Sequence, residues 1–247
     1  MNVNSIGFKE TPEVLFIGPP KSAGPLPAFF YFALSAKASL TQDPICQPVS
    51  FLASNAVRIF SMTLPAHEEG EDQKKGVEHW PSLLSMEPSP FDAFFNGCKK
   101  NLHTLIETGW IDPKKIAFGG LSRGSWIASQ LAAQEEAVSI LLGFAPMTAF
   151  LSNEKSHPEL NKYQMIHLAP RLAKKTMRFY IGNRDLRVGT KEAFSCVERI
   201  VEEAHAQGLR SAPIELILFP SIGHLGHGTP PSIFKDGIEW LKTLWDI

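Results

Sequence analysis

The chain carries no excess of either charge. Its 24 Lys and Arg nearly balance 25 Asp and Glu, for a formal net charge of -1 at pH 7. No basic stripe interleaved with aromatics appears, so the electrostatic footprint of a nucleic-acid binder is missing. No apolar run approaches the ~20 residues that a membrane span needs. The opening MNVNSIGFKETPE lacks the basic and apolar regions of a signal peptide, and a cytoplasmic location is expected from that. Cysteine is scarce: Cys46, Cys98 and Cys196 lie far apart, with neither metal-ligand spacing nor the even number of a disulfide framework. Cys98 and Cys196 fall on or beside apolar helix faces, which points to core packing. His, Asp and Glu form no cluster at ligand spacing either, so no metal is expected. The segment IGPPKSAGP, after the first apolar run, holds prolines where a phosphate-cradling G-x-G-x-x-G would need glycines; no nucleotide cofactor is expected. There is no Gly/Ser-rich linker, internal repeat or low-complexity segment to divide the 247 residues, so a single domain over 1–247 is expected.

What the chain does contain is a series of short apolar runs rich in β-branched and aromatic residues. They are VLFI (14–17), AFFYFAL (28–34), VRIFSMTL (57–64), KIAFGGL (115–121), SILLGF (139–144), MRFYIG (177–182) and IELILF (214–219). Being continuous rather than alternating, they read as strands buried on both faces. Helical spacing lies between them. Phe91, Phe94, Phe95, Cys98, Leu102, Leu105 and Ile106 form one apolar stripe, and Ala193, Phe194, Val197, Ile200, Val201 and Ala204 another. Phe234, Ile238, Leu241 and Trp245 form a third behind Thr229-Pro230-Pro231, where Thr can cap and Pro suits a first turn. Asp43-Pro44 gives the same signal before Ile45, Val49 and Leu52. Strands alternating with helices predict an α/β fold. Its mainly parallel central sheet of about seven to eight strands has helices on both faces and a small cap or none. The stretches 66–90 and 148–170 fit no regular element and read as surface loops or small lids.

Gly-Leu-Ser-Arg-Gly at 120–124 sits between an apparent strand and an apparent helix. That context suits a sharp turn that exposes the Ser122 hydroxyl at the sheet's carboxyl edge; the bland alternative is a Gly-rich turn. A serine hydroxyl is a weak nucleophile at neutral pH and needs a base, which in turn needs an orienting acid. Asp185 lies in GNRDLRV, directly after the MRFYI strand, where a turn aspartate stabilising its own loop is the other reading. FPSIGHLGHG, after IELILF, offers two histidines. His224 comes first after the strand and is the preferred base; His227 is then a supporting hydrogen-bonding group or an exposed loop residue. His67 follows another strand end and is a further candidate for lining the site, while the histidines at 79, 103, 157, 167 and 205 read as surface or packing residues.

With these residues in view, the chain resembles the α/β-hydrolase family over most of its length. Within that family it looks like the branch of dienelactone hydrolases, acyl-peptidase and prolyl-oligopeptidase catalytic domains and small esterases. IDPKKIAFGGLSRG (111–124) resembles the segment that brings in the nucleophile, GNRDLRV the acid loop and FPSIGH the histidine loop, while FAPMTAF (144–150) resembles the stretch after the sixth strand. The resemblance implies Ser122 as nucleophile, Asp185 as orienting acid and His224 as general base. It implies an oxyanion hole with one backbone donor at Arg123. The second donor would come from Leu34 or Ser35, because AFFYFALSAKASL lacks the His-Gly pair that many members carry there. The expected activity is cleavage of a small ester through an acyl-enzyme. A prolyl-oligopeptidase-type peptidase taking a short peptide-like substrate and a catalytically idle binding protein of the same fold are the alternatives.

Overall fold

The apolar runs become strands in the computed structural model, which describes residues 2–68, 70, 72, 75–150 and 158–247. In chain order the first elements are β1 (Asn4–Ile6), β2 (Val14–Ile17), β3 (Leu26–Phe32), α1 (Ala36–Thr41), α2 (Gln47–Leu52), β4 (Arg58–Ser61), α3 (Trp80–Leu84) and α4 (Pro90–Glu107). There follow β5 (Ile111–Leu121), α5 (Arg123–Ala132), β6 (Ile140–Phe144), α6 (Ala169–Leu172), β7 (Thr176–Gly182), α7 (Thr190–Ala206), β8 (Ile214–Phe219) and α8 (Pro231–Trp245). Eight strands form a mixed, mostly parallel sheet in the order β1-β2-β4-β3-β5-β6-β7-β8, with helices on both faces.

Residue contacts group the chain into two compact units, one of Met1–Ala117 with Phe234–Ile247, the other of Phe118–Ile233. In the first, β1 pairs antiparallel with β2 and β2 with β4, while β3 and β4 run parallel with Phe29 opposite Ile59. Phe29, Phe30, Tyr31, Phe32, Ile59 and Phe60 are all fully buried, as the unbroken apolar runs require. The long α4 begins where Ser89 accepts a hydrogen bond from the Phe91 amide, with Pro90 in the first turn, and it buries Phe91, Phe94, Phe95, Cys98, Leu102 and Leu105. The helix expected from Asp43-Pro44 opens later, at Gln47, with Pro48 in its first turn. One helix not expected from the sequence, α1, is capped by the Ser35 hydroxyl, which accepts from the Ala38 amide.

In the second unit β6, β7 and β8 pair in parallel, Leu142 lying opposite Arg178 and Tyr180 opposite Ile217. Every residue of α5 is buried. The expected loops at 66–90 and 148–170 contain short helices, among them Gly76–His79, Pro158–Tyr163 and Met165–Leu168; positions 69, 71, 73, 74 and 151–157, with His157, lie outside the described residues. The second of these stretches is anchored, since the Trp126 indole and the Gln130 amide both donate to the Tyr163 carbonyl. No helix of the described residues is long and apolar enough to cross a membrane.

Candidate active site

Ser122 stands between β5 and α5 with φ 55° and ψ -116°. A side chain at positive φ is strained, and it persists only where surrounding bonds hold the backbone. Here the Ser122 amide donates to the Phe144 carbonyl at 2.8 Å, and its carbonyl accepts from Ser125 and Met147. Just inside the helix, the Ser125 hydroxyl donates to the Gly120 carbonyl at 2.6 Å, which ties the first turn of α5 back to the strand.

Asp185 lies in the loop after β7 and is 2 % exposed. Its Oδ1 accepts from the Arg187 and Val188 amides at 2.9 and 3.1 Å. That leaves Oδ2 for the His227 Nδ1–H, at 2.7 Å. With Oδ1 occupied and a carboxylate able only to accept, the ring proton sits on Nδ1 and the lone pair of Nε2 is turned outward. The Ser122 hydroxyl meets that lone pair at 2.9 Å. Three residues that lie far apart in the chain are therefore linked by hydrogen bonds running from a buried carboxylate to a strained serine.

The structure moves the histidine from the expected His224 to His227. Positive φ at Gly223, Leu225 and Gly226 reverses the chain within a few residues, and the Gly228 amide closes the loop by donating to the Ile222 carbonyl at 2.8 Å. His224 stays on the outer, exposed limb of this turn, while His227 lies on the returning limb. Gly226 is needed for the loop to lie this close to the acid loop. A Cβ there would fall 2.3 Å from the Arg184 carbonyl oxygen. Further bonds join the two loops: the Leu186 amide donates to the Leu225 carbonyl, the Arg184 amide to the Ser221 hydroxyl and the Ser221 amide to the Asn183 side chain. Distance from the strand end does not encode this reversal; the run of glycines around Leu225 was the available signal.

Of the expected oxyanion donors, the Arg123 amide opens the ten-residue α5, at the helix end that favours negative charge. The Leu34 amide is engaged elsewhere: it donates to the Ser39 hydroxyl at 3.1 Å, as does the Ala33 amide. That hydroxyl in turn donates to the Ser35 carbonyl. The Leu34 amide, expected with Ser35 as a candidate second donor, is thus bonded to a serine of α1 in this structure. His67 is fully buried, its Nδ1 within 2.9 Å of the Pro65 carbonyl and its ring edge-on to Trp80, and it serves packing in the first unit. The three cysteines are buried as free thiols, and burial pushes the Cys196 thiol up to about 12. Among the described residues no group of His, Cys, Asp or Glu is placed to hold a metal ion.

No family model and no curated protein matches the chain by sequence. Solved structures do match it in shape. The protein TT1662 from Thermus thermophilus is 14% identical, with 100% of each chain covered and a TM-score of 0.70. A cold-adapted esterase from an Arctic intertidal metagenomic library is 15% identical, with 98% of this chain and 92% of that one covered and a TM-score of 0.68. The acylaminoacyl peptidase of Pyrococcus horikoshii is 12% identical; 99% of this chain matches 41% of that one, with a TM-score of 0.68. Likeness at such identities is one of fold, and with the sheet order and the flanking helices it assigns this chain the α/β-hydrolase fold.

Proposed function

We propose that the protein is a serine hydrolase that cleaves a small ester through an acyl-enzyme on Ser122. The observation that carries this reading is the chain of bonds Asp185–His227–Ser122, at 2.7 and 2.9 Å, ending on a serine held at positive φ. His227 Nε2 takes the hydroxyl proton as Ser122 Oγ attacks the carbonyl carbon, and the Arg123 amide is the donor for the oxyanion that forms. Asp185 holds the ring in the tautomer that keeps Nε2 basic, and it stabilises the imidazolium. His227 then gives the proton to the leaving oxygen, and water repeats the cycle to release the acid. Solved proteins of this shape include an esterase and a peptidase, in keeping with ester or amide cleavage. Small esters are favoured because an amide's departing amine must be protonated and held in place, and enzymes draw that positioning from binding along an extended substrate.

Labelling with a fluorophosphonate followed by peptide mapping tests the nucleophile without knowledge of the substrate. Label on the peptide holding Ser122, absent from Ser122→Ala, is expected. A second reading, an idle fold retained for binding, is favoured by the Leu34 amide bonded to Ser39. Well-folded protein that takes no label decides for it. Comparing kcat/KM on p-nitrophenyl esters from acetyl to octanoyl with that on aminoacyl and peptidyl anilides separates esterase from peptidase, and anilides that match the best ester would assign the peptidase.

A further inference from the structure

The acid loop contains a hydroxyl that the mechanism above does not use. Thr190 opens α7, just after Gly189 at φ 84°. Its Oγ1 lies 2.9 Å from the Asp185 amide nitrogen and 2.6 Å from the Gly182 carbonyl oxygen. Because the amide can only donate and the carbonyl can only accept, the direction of both bonds is fixed. The hydroxyl accepts from Asp185 and donates to Gly182. A return bond runs from the Thr190 amide to the Asp185 carbonyl at 3.2 Å. The Asp185 backbone is thus gripped on both sides by one residue, which also fastens it to the last residue of β7.

We propose that Thr190 is a positioning residue for the Asp185 carboxylate, through which it sets the Asp185–His227 bond; the inference rests on the serine-hydrolase reading. Without the hydroxyl, the Asp185 amide keeps only the longer contact to the Gly182 carbonyl, at 3.3 Å. The carboxylate is aimed by this backbone and by the two amides on Oδ1, and a displacement of well under an ångström suffices to weaken a 2.7 Å bond to an imidazole. The threonine methyl has no part in the grip, so serine at 190 retains the function and the near-isosteric valine lacks it. Valine keeps the bulk at the start of α7 while deleting both hydrogen bonds.

The test compares wild type, Thr190→Val and Thr190→Ser by kinetics and by proton NMR of the imidazole N–H resonance that a histidine bonded to a carboxylate shows far downfield. Thr190→Val is expected to lower kcat on p-nitrophenyl acetate by about 10- to 100-fold with KM changed by less than about twofold, and to lose or broaden the downfield resonance. Thr190→Ser restores both. Circular dichroism and the melting temperature confirm that the variants are folded. A folded Thr190→Val with wild-type kcat and resonance overturns the proposal, and so does a Thr190→Ser variant as impaired as the valine. The resonance can be read in a protein that hydrolyses nothing. Wild type that takes no fluorophosphonate but loses the resonance in Thr190→Val alone would sink the enzymatic reading and leave the grip of Thr190 on Asp185 standing.

Discussion

Arg58 and Asp185 are both charged side chains removed from water, 0 % and 2 % exposed, and each is surrounded by hydrogen-bond partners, yet the two clusters are built for opposite ends. The Arg58 guanidinium, in the first unit, donates to the carbonyls of Pro19, Pro20, Gly24 and Trp110 and lies over the Trp110 ring at 5.0 Å. Burial lowers its pKa, but every partner is a fixed acceptor with no proton to exchange. The cluster is a knot that fastens the turn before β3 to the turn before β5. Asp185, in the second unit, passes its bonding outward through the His227 imidazole to the Ser122 hydroxyl. A buried charge whose partners are all backbone carbonyls holds a shape; one whose chain of partners ends on an imidazole and a serine at positive φ is the arrangement proposed above for acyl transfer.

That contrast can be broken in four ways. The largest effect is expected from His227→Ala, which should cut kcat/KM on a p-nitrophenyl ester by about 10⁴-fold or more, whereas His224→Ala should stay within about twofold. A loss as great for His224 as for His227 would return the base to the outer limb of the loop. Next, Arg58→Met removes the side-chain donor from four carbonyls, of which those of Pro20 and Trp110 keep the Ala23 and Leu26 amides, and should cost about 2 kcal/mol, read as a lower urea midpoint with unchanged m. Arg58→Lys should recover only part of it, since an ammonium lacks the planar fork. If Arg58→Met instead lowered kcat far more than stability, the knot would not be purely structural. Gly226→Ala should lower kcat about tenfold, because the added Cβ pushes the histidine loop away from the Arg184 carbonyl. Unchanged turnover would show that the loop separation does not set the His227 position. Smallest is the thiol readout. Cys98 and Cys196, pushed up by burial, should react with a disulfide reagent only on unfolding, and labelling of either in native protein within minutes would contradict their packing role.

The sheet was readable because strands buried on both faces must be continuously apolar. β2 coincides with VLFI residue for residue; β8 coincides with IELILF, but as an edge strand it is only partly buried, with Leu218 53% exposed, and not buried on both faces as its apolar run suggested. β1 was invisible because Asn-Ser-Ile has one apolar residue, and its strand form depends on pairing with Val14–Phe16. β5 begins at Ile111, ahead of the polar Asp112-Pro113-Lys114-Lys115, which propensity alone does not mark as strand. Around the candidate site, chain order selected Ser122 and Asp185, which the structure brings into one bonded chain. It selected His224, whereas the histidine in that bonded chain is His227, because the path from His224 to His227 is set by three positive-φ residues and not by their distance from β8. The engagement of the Leu34 amide was equally hidden, since it depends on a serine five residues onward being folded back by α1.

Leu186 is 59% exposed, while its amide is bonded to the Leu225 carbonyl at 2.8 Å. Exchange of that one amide proton with solvent deuterium is therefore governed by separation of the acid and histidine loops rather than by access of water to the residue. It gives a clock for how often the Asp185–His227 pairing opens in the resting protein, readable with no substrate and no assay of turnover.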